Sequence, residues 1–153
     1  MLPTSLAHFA EQSAPKVRRA ETAGPYVLSL FRVVVGLLLA CHGFGALFGL
    51  IGPAAGPQID TVAFGSWPLW YAAVIELVGG TLVMLGLGSR TAALLCSGAM
   101  AYAYFDTHAS QGVLPLDNGG ETAAFYAWAF LLLVFTGPGA LSLDRLLRRR
   151  RAS

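Results

Sequence analysis

Between Tyr26 and Leu50 the chain runs through about seven helical turns with one formal charge, Arg32, and one histidine, His42. About 20 apolar residues in a row suffice to cross the hydrocarbon core of a bilayer. In that medium the backbone must satisfy its own polar groups, so such a segment is a helix. Three more runs follow: Trp67 to Leu87, with Glu76 as its one charge, Thr91 to Phe105, and Thr122 to Phe135. The last two, at about 22 Å of helix rise, need flanking residues to span. Breaks fall at Gly52-Pro53-Ala54-Ala55-Gly56-Pro57, at Gly86-Leu87-Gly88-Ser89-Arg90, over the polar stretch Asp106 to Gly120, and at Gly137-Pro138-Gly139. Only 12% of residues are charged and 56% are hydrophobic, against about 25% charged in soluble domains. That balance excludes a disordered chain, a nucleic-acid-binding module and an ordinary cytosolic enzyme. It calls for lipid as the solvent.

The few charges are sorted by position. Lys16, Arg18 and Arg19 precede the first run, Arg90 lies in the turn between the second and third, and Arg145 and Arg148 to Arg151 follow the fourth. The connections 51–66 and 106–120 hold no Lys or Arg. With four spans, all these basic groups lie on one side, and the bias of basic residues toward the cytoplasm puts both termini there. The expected fold is therefore an all-α, integral membrane four-helix bundle of a bacterial inner membrane. It divides into a basic, poorly ordered tail over 1–25, the membrane domain over 26–140 and a basic segment over 141–153. Ser142-Leu143-Asp144-Arg145-Leu146-Leu147 can start a short C-terminal amphipathic helix lying on the membrane surface. Asn118-Gly119-Gly120-Glu121 has the spacing of a capping box opening the fourth span. Leu38-Leu39-Ala40-Cys41 resembles a lipoprotein signal, but Arg32 inside its core and apolar sequence continuing past Cys41 argue against cleavage there.

A charge in the lipid core is costly, and such a residue is read as functional by default. Arg32 and Glu76 stand out. Heights counted from the ends of the runs put them about 7 Å apart, close enough for an intramembrane ion pair joining the first two spans. Arg32, Gly36, Leu39 and Gly43 share one helix face, and Glu76 shares another with Gly80 and Val83. The pair serves either as a helix-joining contact or in proton or substrate handling. His42, Asp106, Asn118 and Glu121, with His108 and Asp117, gather toward the opposite ends of the spans and form a polar mouth. Asp106 and His108 sit two apart on different helix faces, so no metal site is expected. Cys41 and Cys96 lie about 13 Å apart in height, too far for a disulfide. Aromatic residues such as Trp67, Trp70, Tyr71, Tyr102, Tyr104 and Trp128 suit an interface belt, or a flat apolar pocket for a quinone-like ring. No catalytic motif is present.

Arg32-x-x-x-Gly36, His42-Gly43-Phe44, Glu76-Leu77-Val78-Gly79-Gly80, Gly86-Leu87-Gly88-Ser89-Arg90, Asn118-Gly119-Gly120-Glu121, Gly137-Pro138-Gly139 and Ser142-Leu143-Asp144 occur in this order. Together they resemble the DoxX family, over roughly residues 26–144. The resemblance implies a small four-helix membrane protein, and it implies an association with redox chemistry. The family takes its name from membrane subunits of an archaeal thiosulfate:quinone oxidoreductase, and mycobacterial relatives accompany a superoxide dismutase and a sulfurtransferase. It implies a quinone as ligand, a soluble oxidoreductase or sulfurtransferase as partner, and the bilayer, with a homo-oligomer as a further option. It carries over no catalytic residue. The alternatives are a small-solute transporter using Arg32, Glu76 and His42 as a relay, and a non-catalytic structural or assembly protein.

Overall fold

The computed structural model describes the backbone of residues 4–50 and 61–151, with side chains over 21–50 and 61–150. The Gly52 to Pro57 loop and Asp60 lie outside the described residues. Five α-helices follow in order: α1 Thr4–Phe48, α2 Leu69–Leu85, α3 Ser89–Ala103, α4 Glu121–Thr136 and α5 Leu143–Arg151. Within α1, Glu21–Phe48 contains an 18-residue window of mean hydropathy 2.0 and is long and apolar enough to cross a membrane, while α2 and α4 are shorter apolar helices. Two departures from the sequence reading concern length. α1 begins at Thr4, so the backbone of residues 4–25 is helical where a poorly ordered tail was expected. Its Ala, Glu, Lys and Arg content favours helix even without apolar periodicity. The helical path of α3 also runs past Phe105, through a π turn at Tyr104–His108 and a 3-10 turn at Ala109–Gln111. Polarity alone had marked that stretch as loop.

The bundle is built from two helical pairs, α1 on α2 and α3 on α4, joined chiefly through α2 and α3, with a smaller contact between α1 and α4. Glycine sets the first pair. A Cβ on Gly36 would lie 2.6 Å from the Met84 nitrogen, one on Gly80 2.7 Å from the Ala40 nitrogen, and one on Gly43 2.6 Å from the Ala73 oxygen. The two backbones are in contact, as small residues allow when lipid supplies no hydrophobic drive between helices. The core is correspondingly fine-grained. Leu39, Val83, Ala93, Cys96 and Phe130 are fully buried, with Val35, Ala92, Met100 and Leu133 around them. Leu30, Val34, Leu38, Val78, Leu94, Leu95, Trp128, Leu132 and Phe135 point outward and are exposed. A helix apolar on all sides suits a lipid surround.

α2 ends on Gly86 in the left-handed conformation (φ 76°), whose N–H bonds the Leu82 and Val83 carbonyls while the Leu87 N–H bonds Leu82. This is a Schellman stop, and a side chain there is disfavoured. α4 opens at Gly120 with no side-chain cap. The Asn118 Oδ1 accepts from the Gly120 N–H at 2.8 Å, an Asx turn. The capping box therefore does not form, because the helix starts at Glu121 and leaves Asn118 two positions upstream of the N-cap residue Gly120. α5 does begin as its sequence suggests, with the Ser142 Oγ accepting from the Arg145 N–H at 3.3 Å.

Candidate functional site

The two buried charges of the sequence reading do not meet. Arg32 is 2% exposed, and its guanidinium is spent on carbonyl groups. Nε donates to Pro138 at 3.0 Å, Nη1 to Val83 and Met84 at 2.5 Å each, and Nη2 to Leu141 at 2.6 Å. Val83 and Met84 belong to the last turn of α2, which carries the negative end of its dipole. A planar cation with five donors suits that place better than a carboxylate partner would. The register explains the miss. Gly36 faces Gly80 and Met84, while Gly43 faces Ala73, Leu77 and Glu76. Arg32 and Glu76 are thus separated by about ten residues of the paired helices, ~15 Å of rise.

Around Arg32 the basic end is tied together. The Ser29 Oγ donates to the Pro25 carbonyl at 2.8 Å and accepts from the Leu141 N–H at 3.0 Å, and the Ala140 N–H bonds Pro25 at 3.0 Å. Arg90 reaches the Val134 carbonyl near the end of α4 at 3.1 Å. Asp144 accepts from the Gly88 N–H at 3.1 Å and the Ser89 N–H at 3.5 Å, capping α3 from a distant part of the chain. The Gly137-Pro138-Gly139 and Ser142-Leu143-Asp144 motifs are therefore parts of one clasp.

At the other end Glu76 has a different partner. Its Oε2 accepts from His42 Nδ1 at 2.8 Å; the carboxylate side chain is 7% exposed and the imidazole 64%. Gly43 makes this pair, because only a residue without a side chain lets α1 close on α2 beside position 42. The pair lines a cavity of about 160 Å³ to which all of α1 to α4 contribute, with Met100, His108, Thr122 and Tyr126 among its other walls. His108 comes inward on the π turn, where the Ala109 N–H bonds the Tyr104 carbonyl five residues back. Single π turns of this kind favour functional positions. His108 Nδ1 donates to the Asn118 carbonyl at 3.1 Å. Asn118 is buried, and its Nδ2 donates to the Gly112 carbonyl at 2.7 Å. It holds the connection folded over the cavity.

The expected mouth is thus rebuilt. His42 belongs to the cavity and Asn118 to its cover. Asp106 points away, exposed and bonded to the Tyr102 hydroxyl at 3.2 Å, and Glu121 is exposed on the first turn of α4. Met100, Thr122 and Tyr126 escaped notice because no polar or charge pattern marks them. Cys41 and Cys96 are both free. Among the described residues no three His, Cys, Asp or Glu groups cluster as metal ligands. A buried carboxylate bonded to a more exposed imidazole can take up or release a proton beside a bound molecule. The volume suits a single ring, since a cavity of about 150 Å³ accommodates benzene.

An all-helical bundle with apolar outer faces and ionisable groups inside is the build of an integral membrane protein. The DoxX family profile matches residues 27–109. An uncharacterized protein of Haemophilus influenzae is 42% identical over 78% of this chain and 90% of its own length. Inner membrane protein YqjF of Escherichia coli is 29% identical, again over 78% and 90%. An uncharacterized membrane protein of Mycobacterium tuberculosis is 30% identical over 92% of both chains. No solved structure matches. The chain belongs to the DoxX family of membrane proteins.

Proposed function

We propose that this DoxX protein is a redox-associated subunit of the bacterial inner membrane whose His42–Glu76 cavity binds the ring of a quinone-type ligand. The observation that carries this reading is the buried Glu76 carboxylate bonded to His42 at the wall of a ring-sized cavity formed by all four long helices. Ring oxygens entering there meet His42, His108, Thr122 and Tyr126 as hydrogen-bond partners. The quinone supplies the electron chemistry when bound, and the Glu76–His42 pair holds or passes the accompanying proton. Four spans place the Arg32 clasp, Arg90 and both termini on the cytoplasmic side, and the His42 cavity toward the other face. The amphipathic α5 then lies along the cytoplasmic surface. A soluble oxidoreductase or sulfurtransferase is the partner that would deliver or accept electrons.

The transporter reading is weaker. A relay through Arg32 has no link to Glu76, because Arg32 is held by four bonds to backbone carbonyls about 15 Å away along the helices.

Binding tests the proposal. The full chain in lipid nanodiscs is titrated with a short-chain benzoquinone by equilibrium dialysis. Saturable binding weakened at least about tenfold by His42→Ala supports the reading. Absence of saturable binding, or equal affinity in the variant, overturns it.

A further inference from the structure

The basic end carries a second cavity that the quinone reading does not use. It measures about 460 Å³, and its walls include Gly88, Ser89, Arg90, Asp144, Arg145 and Arg148. Three arginines from α3 and α5 thus line one recess. Ser89 is 2% exposed and its Oγ is buried without any hydrogen-bond partner. A buried hydroxyl left unmatched is costly, and a ligand oxygen is one way to satisfy it. Asp144 also lines the recess, but its carboxylate is held on the Gly88 and Ser89 N–H groups. It cancels one positive charge and leaves the arginines in excess. Against this recess lies an apolar cleft of about 260 Å³, walled by Leu85, Leu141, Leu143 and Leu146. The two share Ser142 and Arg145. A polar recess rich in arginine, continuous with a leucine cleft beside an apolar bundle, matches an amphiphile with an anionic head.

We propose that this recess holds the phosphate of an anionic phospholipid headgroup, with the lipid's chain in the leucine cleft. Arg90, Arg145 and Arg148 bind the phosphate oxygens, since arginine forks suit phosphate geometry. Ser89 donates its free hydroxyl. Basic recesses beside membrane helices recognise headgroups in this way. A soluble phosphate offers the same oxygens but leaves the leucine cleft unfilled. The lipid would also pin α5, and through Asp144 the start of α3, to the membrane surface.

Native mass spectrometry of the full chain in neutral detergent tests the site, with phosphatidylglycerol, phosphatidylcholine and inorganic phosphate as probes. Phosphatidylglycerol should be retained in preference to phosphatidylcholine and should resist displacement by millimolar inorganic phosphate. The double variant Arg145→Gln with Arg148→Gln removes exposed groups, and it should weaken phosphatidylglycerol binding about 30-fold, roughly fivefold for each arginine. The same loss of charge in the N-terminal segment, Lys16→Gln with Arg18→Gln, should leave binding within about threefold of wild type. Ser89→Ala, which removes a hydroxyl with no protein partner, should weaken it about threefold on its own. Equal affinity in wild type and the Arg145/Arg148 variant overturns the proposal. So do equal losses in the two double variants, or displacement of the lipid by inorganic phosphate.

Discussion

The bundle buries one strong cation near its basic end and one carboxylate near the other, and it treats them in opposite ways. At the basic end, Arg32 makes four hydrogen bonds to backbone carbonyls of α2 and of the segment leading into α5. At the His42 end, Glu76 has one side-chain partner, itself largely exposed, and faces a cavity. A buried group tied by four bonds to the backbone of two chain segments holds elements together. A buried group with one partner and open space beside it is available for chemistry. The cost of burying a charge is met by structure in the first case and remains in use in the second.

That contrast can be broken at several points. Arg32→Ala should have the largest effect on stability, about 3–5 kcal/mol, because it leaves buried carbonyls of α2 unmatched and unties the clasp. Thermal unfolding in detergent measures it, and a loss under about 1 kcal/mol would make Arg32 a bystander. Gly36→Val should cost about 1–3 kcal/mol or more, since its Cβ would lie within 2.6 Å of the α2 backbone. Gly98→Ala, with nothing within 4 Å of its added Cβ, should be stabilising by about 0.5–1 kcal/mol. Similar effects at the two glycines would refute the close packing of α1 on α2. Asp144→Ala removes the distant cap of α3 and should cost about 1 kcal/mol, read in the same assay. Smallest of all in stability is Glu76→Gln, which keeps a hydrogen bond to His42 and should cost less than about 1 kcal/mol. Its effect belongs in ligand binding instead.

Much of this comparison was legible in the residues. Charge scarcity marked Arg32 and Glu76, the glycine spacings at Gly36, Gly43 and Gly80 marked the contact face of α1 and α2, and α4 follows its apolar run to within a residue at each end. The pairing itself was not legible. Heights measured from the ends of apolar runs assume that each run begins at a boundary of the membrane core, whereas the actual register is set where glycine backbones touch. An offset of a few residues moves a side chain by a full helical turn, and that was enough to exchange Arg32 for His42 as the partner of Glu76. The inward turn of His108 was hidden for a related reason. It depends on π hydrogen bonding at Tyr104–His108, which leaves no trace in a periodicity built on regular helix.

On the function proposed above, the two buried charges are separable, Arg32 serving the fold and Glu76 the ligand. Quinone affinity measured side by side in nanodiscs for Glu76→Gln and Arg32→Lys, at a temperature where both remain folded, tests it directly. Glu76→Gln should bind the short-chain benzoquinone at least about tenfold more weakly than wild type while melting close to it. Arg32→Lys should bind as wild type does while melting well below it, because an ammonium cannot reach all four carbonyls. Equal binding losses in both variants, or a loss confined to Arg32→Lys, would contradict the division of labour.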